Sequence, residues 1–163
     1  MLFRSLAEGA QWVIEQHHEH ADGSGFPLRL TSARMSIAAR IVALVNRYDN
    51  LCNPHVPSRA LTPHEALSLL FAQGKSKFDA TILGAFVKMM GIYPPGSAVQ
   101  LTDERFALVV AVNADRPLKP RVLVHEQGIA AADTLLLDLE HEPNLGIRRS
   151  LKPSALPREA AEY

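Results

Sequence analysis

The hydrophobic period of this chain changes at Pro94-Pro95, and that change predicts the fold class. Before the two prolines, apolar residues recur every three to four positions, as they do in amphipathic helices. After them, short runs of strand-forming residues are bounded by turn residues. We therefore predict a mainly α fold with a small C-terminal antiparallel β-element. It would have four helices from one helical domain, followed by about four short strands.

The four predicted helices span about residues 3–20, 36–51, 62–73 and 79–90. Ser36 is the expected N-cap of the second helix. At the start of the third helix, Thr62 is the expected cap and Pro63 takes the first helical position. Glu65, three residues after Thr62, completes a capping box. The apolar stripe of the first helix contains Phe3, Leu6, Ala10, Val13 and Ile14, and helical spacing extends it to His17 and His18. The stripe of the second helix contains Ile37, Ile41, Val42, Leu44, Val45 and Tyr48.

The predicted strands span residues 98–101, 106–113, 121–125 and 134–139. Because the turns between them are short, we expect an antiparallel meander. The expected domains are a helical part over 1–93, the β-element over 94–140 and an extended polar tail over 141–163.

Charge and composition exclude several classes of function. Lys plus Arg and Asp plus Glu both number 17, so the net charge of zero gives no support for a nucleic-acid polymer or an anionic membrane as partner. Cys52 is the only cysteine, which excludes an internal disulfide and suits a reducing cytosol. The sequence contains no apolar run long enough for a membrane span and no leader of the secretory type. We therefore expect a cytoplasmic protein.

The richest chemistry lies in the segment from His17 to Pro27. Imidazole is the commonest metal ligand, and Glu19 and Asp22 offer oxygen donors or partners for the histidines. Gly23 and Gly25 permit a sharp turn, and Phe26-Pro27 adds an aromatic face on a stiff backbone. If His17 and His18 continue the buried stripe, each needs a hydrogen bond or a metal. His20 is expected to be solvated. These residues alone leave two alternatives open, a metal or ligand site and an ordinary surface turn.

The segment His17-His18-Glu19, followed by Asp22-Gly23-Ser24-Gly25-Phe26-Pro27, resembles the second signature of HD-GYP domains. These domains are metal-dependent phosphohydrolases that cleave the bacterial second messenger cyclic di-GMP. Further motifs follow in the family's order, at Ala39-Arg40-Ile41-Val42-Ala43, Tyr48-Asp49, residues 60–67, Lys77-Phe78-Asp79 and residues 91–101. The resemblance covers about Val13 to Val124.

The resemblance implies the C-terminal half of such a domain, with a divalent metal such as Fe or Mn. His17 and His18 would bind the metal. The loop formed by Asp22, Gly23, Gly25, Phe26 and Pro27 would line the nucleotide pocket or contact a partner.

Three departures from the family pattern predict a degenerate site. The family's His-Asp pair lies upstream of the signature, and no His-Asp dipeptide occurs in this sequence. The position of a ligating aspartate holds Asn46, and an amide is a weaker ligand for such cations. The family's phosphate-binding arginine segment falls on His55, Val56, Pro57 and Ser58, with Arg59 one residue further on.

Three functional hypotheses follow. The chain is part of a cyclic di-GMP phosphodiesterase that is weak or inactive in isolation. Alternatively, it is a catalytically dead module that binds a cyclic or related dinucleotide, or a signalling partner such as a diguanylate cyclase domain. In the third, it is half of a longer protein, and the exposed helix faces of the isolated chain would pair in a homodimer.

Overall fold

The computed structural model describes residues 8–126, 128–129, 134–152 and 155–156. Within them four α-helices precede five strands. The helices are α1 (Glu8–Gln16), α2 (Ile37–Cys52), α3 (Pro63–Gln73) and α4 (Ala80–Met90). The strands are β1 (Ala98–Leu101), β2 (Phe106–Ala111), β3 (Arg121–Val124), β4 (Leu135–Asp138) and β5 (Ile147–Leu151). The predicted fold class is confirmed. None of the helices in these ranges is long and apolar enough to cross a membrane.

The described residues form two compact units. The first contains the residues up to Arg59 together with Leu67–Phe86, and the second contains Ala60–Ala66 with the residues from Val87 onward. The boundaries therefore fall inside α3 and α4.

Local capping chemistry sets the helix ends, as the sequence predicts. The Ser36 hydroxyl accepts a hydrogen bond from the Ala39 N–H at 3.1 Å and caps α2. At α3, the Glu65 carboxylate accepts from the Thr62 N–H at 2.8 Å, and the Thr62 hydroxyl accepts from the Glu65 N–H at 3.2 Å. This reciprocal pair is a capping box. Gly91, with φ of 69°, follows the end of α4.

The predicted buried faces of α1 and α2 are wrong. On α2 the buried residues are Ala39, Ala43 and Leu44, whereas Ile37 is 64% exposed. Ile41, Val42 and Val45 of the predicted stripe are also exposed. Ala39 lies in a small core with Leu30 and Met35. Leu44 of the predicted stripe is buried, but Ala38 is exposed, so the buried face of α2 runs along Ala39, Ala43 and Leu44 instead of along the isoleucine and valine side chains.

Helix α1 is shorter than predicted at its C-terminal end. It stops at Gln16, and His17 and His18 lie in the turn that follows. Ala10 and Ile14 are exposed, whereas Gln16 is buried. The Gln16 side-chain oxygen accepts a hydrogen bond from the Ser36 N–H at 3.0 Å, which ties the end of α1 to the start of α2. Residues 3–7 of the predicted helix lie outside the described residues.

The second unit contains a five-stranded antiparallel sheet in the order β4-β3-β2-β1-β5. The first four strands and their meander connectivity agree with the prediction. One face of the sheet contributes most of a core that consists of Val99, Leu101, Ala107, Val109, Val122, Val124, Leu139 and Leu145.

Strand β5 is not predicted from the sequence, since it lies in the segment expected to be an extended polar tail. It pairs with β1 at the sheet edge, and Leu151 is buried opposite Ala98. Its central residues Arg148, Arg149 and Ser150 are polar, which conceals an edge strand from a search for apolar runs.

Candidate functional site

Glu19 organises the segment that carries the histidine motif. Its side chain is only 1% exposed, and its two carboxylate oxygens accept three backbone hydrogen bonds. Oε1 accepts from the N–H groups of Leu28 at 2.5 Å and Arg29 at 3.0 Å. Oε2 accepts from the Leu30 N–H at 2.9 Å. A buried charge needs such donors, and the three bonds hold the loop after Pro27 against the turn that carries the histidines.

Gly25 allows the loop to lie directly on the backbone of that turn. A Cβ atom at Gly25 would overlap with the Cα of Glu19 and the backbone nitrogen of His20. The Phe26 N–H donates to the His18 carbonyl at 3.3 Å, and the Phe26-Pro27 peptide bond is cis. No residue other than glycine fits this position without a backbone shift, which explains the fixed place of Gly25 in the motif.

Asp22 is used by the turn itself. Its Oδ1 accepts a hydrogen bond from the Ser24 N–H at 2.9 Å. Hydrogen bonds from the Ser24 side chain and backbone hold the pKa of Asp22 below its usual value. Gly23 adopts a φ of 79°, and its place in the turn requires that left-handed conformation.

His17 and His18 form an adjacent pair at the protein surface. Their ring centroids are 4.0 Å apart, and the rings are tilted by 39°. His17 is half-buried and His18 is exposed, so the expectation that both extend a buried stripe is wrong. The reason is that the helix ends at Gln16 and the chain turns. His17 Nδ1 lies 2.8 Å from the Ile14 carbonyl, which can only accept a hydrogen bond. Nδ1 therefore carries the proton, and the lone pair is on Nε2, as in metal-binding histidines whose other nitrogen is held by a carbonyl.

Phe26 and His18 form a stacked aromatic pair. Their ring centroids are 4.8 Å apart with an interplanar angle of 18°. Phe26 is 61% exposed. One face of the phenyl ring contacts His18, and the exposure of the side chain leaves aromatic surface for another planar group.

His20 is not solvated as predicted, because the turn folds it toward the interior. It is half-buried, its Nδ1 forms a 3.0 Å hydrogen bond with the Ser24 hydroxyl, and its ring lies edge-on to Phe78 at 6.2 Å. Burial lowers its pKa, and the positive charge of Lys77 lowers it further.

The other predicted site residues are not joined to this segment. The Asn46 side-chain oxygen accepts a hydrogen bond from the Asn50 amide at 3.2 Å. His55, Ser58 and Arg59 are exposed in the loop after α2. Within the described ranges, no hydrogen bond or ion pair connects any of these four residues to His17–Pro27.

Comparison with known proteins supports the family resemblance of the His17–Pro27 segment. Residues 3–82 match the HD domain family, and residues 98–159 match the KOW domain associated with the HD domain. A cyclic di-GMP phosphodiesterase of Pseudomonas aeruginosa is 34% identical over 112 residues, which cover 69% of this chain and 27% of that protein. The cyclic di-GMP phosphodiesterase response regulator RpfG of Xanthomonas campestris is 36% identical over 76 residues, or 47% of this chain and 20% of that protein. Residues 3–82 therefore belong to an HD domain, and the relatives support the HD-GYP type.

A probable cyclic di-GMP phosphodiesterase of Vibrio cholerae is similar too, with 32% identity over 83 residues, 51% of this chain and 19% of that protein. The HD-GYP chain described here thus spans between about a fifth and a quarter of the length of these three relatives. The KOW match covers the strands, including β5, and extends the β-element beyond the predicted limit of residue 140.

The part of the chain that the structure describes does not contain a complete set of donors for the metal that the resemblance implies. His17 and His18 are two adjacent imidazoles, but these residues include no group of three or more His, Cys, Asp or Glu side chains that could hold a metal. Catalytic zinc sites, for comparison, use three protein ligands and an open position. The described part of the chain therefore does not by itself fit the cofactor that the family implies, and we assign no chemical step through a metal.

Two motif residues of the HD-GYP pattern have a structural role that the sequence did not reveal. Arg40 Nη1 donates to Asp79 Oδ2 at 2.7 Å, which joins α2 to the start of α4. Asp79 Oδ1 also accepts from the N–H groups of Thr81 and Ile82, at 3.0 and 3.1 Å, and so caps α4. The N–H of Ile82, with the Arg40 side chain and the Thr81 N–H, lowers the pKa of Asp79. The Asp before a helix was the only sequence signal for this role.

Proposed function

We propose that this chain forms part of an HD-GYP-type metal-dependent phosphodiesterase that acts on cyclic di-GMP in bacterial signalling, and that it hydrolyses the substrate weakly or not at all alone. The single observation that carries the proposal is the His17–Pro27 segment. Its histidine pair lies at the surface beside an exposed aromatic ring, and the buried Glu19 carboxylate fixes the loop. The names of the relatives supply the substrate class.

In this proposal His17 and His18 supply two metal ligands. The hydrogen bond from His17 Nδ1 to the Ile14 carbonyl sets the tautomer that leaves Nε2 with its lone pair. Asp22 and Gly25 shape the loop, Asp22 through the hydrogen bond that its Oδ1 accepts from the Ser24 N–H and Gly25 through its close approach to the Glu19 backbone. The remaining ligands would come from outside the described residues.

Phe26 would stack on a guanine base. An exposed aromatic ring that is already packed on one side is preorganised for this contact, and base stacking on a side chain is worth about 1–3 kcal/mol. Phenylalanine lacks the hydroxyl of the tyrosine in the family pattern, so the contact would depend on the ring alone.

The second candidate function is a catalytically dead module that binds a dinucleotide or a signalling protein. Asn46 favours it, because its side-chain oxygen is taken up by Asn50 and an amide is a weak metal ligand. The second candidate is also favoured by His55, Ser58 and Arg59. These side chains are exposed and do not form a preorganised phosphate-binding site with the His17–Pro27 segment. We place either function in the cytoplasm, which the lone Cys52 supports.

Calorimetric titration of cyclic di-GMP, with and without manganese, tests the proposal. We expect Phe26→Ala to weaken binding by about 5- to 150-fold, the range that follows from the loss of one stacking contact. Phe26→Tyr should retain the affinity. Phe71→Ala is the matched control, since Phe71 is a similarly exposed phenylalanine on α3. Equal loss in both alanine variants, or no binding by the unmodified chain, would contradict the role of Phe26.

Manganese separates the two candidates. If the histidines bind metal, manganese tightens dinucleotide binding in the unmodified chain and has no such effect in the double variant His17→Ala, His18→Ala. If the chain is a metal-free binding module, manganese changes the dinucleotide affinity of neither the unmodified chain nor the double variant. Chromatographic analysis of the dinucleotide after prolonged incubation with manganese then measures hydrolysis directly, and rapid turnover by the isolated chain would overturn the proposed weak activity.

A further inference from the structure

The first unit contains a cavity of about 240 Å³ that the histidine motif does not explain. Two segments that are distant in sequence form most of its wall: the second half of α2, and the second half of α3 with the turn that follows it. His20, from the turn after α1, completes it. Among the described residues, none of the predicted metal, loop or phosphate-binding positions lines this space.

The polar part of the wall is basic. It contains His20, Arg47 and Lys77, and no aspartate or glutamate lines the cavity. Arg47 and Lys77 form no ion pair with any other residue that the structure describes. Cations that converge on a concave surface concentrate positive potential in it.

The remainder of the wall is mostly apolar. It consists chiefly of Leu51, Leu69, Leu70 and Phe78, and two of these, Leu70 and Phe78, belong to the buried core. Binding sites for small molecules commonly combine such apolar walls with a few convergent polar groups. A cavity of about 150 Å³ is enough for benzene, so this one accommodates one ring with a small substituent.

The cavity is held in shape by backbone contacts. A Cβ atom at Gly74 would overlap with the Leu70 carbonyl oxygen and would lie 3.1 Å from the Phe78 ring, so the turn closes tightly only because residue 74 is glycine. The Ala21 N–H donates to the Lys77 carbonyl at 2.7 Å and fixes the turn to the segment that carries His20. A site formed in advance loses less entropy when it binds a ligand.

We propose that this cavity binds a compact organic anion, with a carboxylate or phosphate group on a small apolar body. Arg47 and Lys77 contact the anionic group, and the leucines and Phe78 cover the apolar body. The Nδ1 atom of His20 is held by Ser24, so Nε2 is its nitrogen for a ligand. This site is independent of cyclic di-GMP and of metal.

Phenyl phosphate and benzoate are the probes, and two-dimensional amide NMR of the full chain is the assay. We expect both probes to shift the amide signals of Ala21, Gly74 and Phe78 in a saturable way. Inorganic phosphate and phenol, each of which has only half of the required chemistry, should bind about tenfold more weakly or not at all. If phosphate alone binds as well as phenyl phosphate, or phenol binds equally well, the proposed ligand class is wrong. A difference between the two anionic probes identifies which acidic group the site prefers.

Arg47→Gln and Lys77→Gln test the two cations. Both side chains are exposed, and Lys77 contacts Ala21 through its backbone carbonyl, which the substitution preserves. Each variant should weaken binding about fivefold or more through the loss of a charge-assisted contact. Lys75→Gln is the matched control, because Lys75 is exposed, lies two residues away and does not line the cavity. An equal effect of Lys75→Gln would mean general charge attraction and would overturn the site, as would the absence of any saturable shift in the unmodified chain.

Discussion

The substitution Glu19→Gln tests whether one buried carboxylate holds the motif loop in place. Glutamine has nearly the same shape as glutamate, so the change removes charge and one acceptor with little effect on packing. Glu19 is almost completely buried and accepts backbone hydrogen bonds from three consecutive residues, Leu28, Arg29 and Leu30.

The expected magnitude follows from those three bonds. With its amide oxygen in the place of Oε1, the substituted side chain still accepts from Leu28 and Arg29, but its NH₂ group then faces the Leu30 N–H. One buried donor without an acceptor costs about 1–3 kcal/mol. The two remaining bonds lose their charge assistance, which roughly doubles the strength of such bonds. Together these losses predict a decrease of about 2–4 kcal/mol in the stability of the loop.

Amide hydrogen exchange at residues 28–30 and thermal unfolding measure this decrease. If the loop opens locally, the exchange rate of the Leu30 amide should rise about 30- to 700-fold, which corresponds to about 2–4 kcal/mol. If the whole first unit unfolds with it, the melting temperature should fall by about 4–8 °C per kcal/mol, as for a domain of 60–100 residues. Glu15→Gln is the matched control, because Glu15 is exposed on α1 and the chemical change is identical.

A small effect would refute the reasoning. If Glu19→Gln changes both readouts by no more than Glu15→Gln does, the carboxylate does not hold the loop. An increase in stability would show that the desolvation free energy of the buried carboxylate exceeds the stabilisation from its three hydrogen bonds.

Three further predictions concern other positions. Gly25→Ala should destabilise the chain by about 2–4 kcal/mol, because its Cβ overlaps with backbone atoms. Gly84→Ala, in open space within α4, should instead stabilise the chain by about 0.5–1 kcal/mol. Urea unfolding measures both changes. The depressed pKa of Asp79 means that its stabilising contribution is present above about pH 4 and is lost as the pH falls through the lower folded-state pKa. Asparagine keeps the N-cap but loses the charge-assisted bond from Arg40, so Asp79→Asn should lower stability at pH 7 by about 1–2 kcal/mol and flatten the acid limb of the stability curve. An unchanged curve would contradict the ion pair with Arg40. Asn46→Asp should raise manganese affinity measured by calorimetry if the metal site is only damaged, and no change would indicate that the histidine pair has no metal role.

The capped elements could be predicted from the sequence because their determinants are local. The Thr62-Glu65 capping box, the Ser36 cap and the Gly91 stop all involve residues within a few positions of one another. Strands β1 to β4 were equally accessible, since each combines an apolar run with flanking turn residues. Strand β5 could not be predicted in this way, because Arg148 and Arg149 interrupt any apolar run in it. It is defined only by its pairing with β1.

The candidate site was only partly accessible for the same physical reason. The motif from His17 to Pro27 was recognisable as a sequence of residue types, yet the expected burial of the histidine pair was wrong. Helical periodicity assumes that the helix continues, and α1 ends at Gln16. Among the ionisable side chains of the motif the buried one is Glu19, and its partners lie 9 to 11 residues further along the chain.

The sequence by itself determined the order of helices and strands, the turn chemistry of the glycine motif and the resemblance to HD-GYP domains. Each depends on residue types at fixed local spacing. Tertiary structure alone decided that Ala39 and Ala43 of α2 are buried while Ile37 is exposed, that Glu19 rather than the histidines lies inside, and that Arg47 and Lys77 meet at one cavity. Burial and convergence depend on which segment packs opposite a residue, and that information is shared between distant parts of the chain.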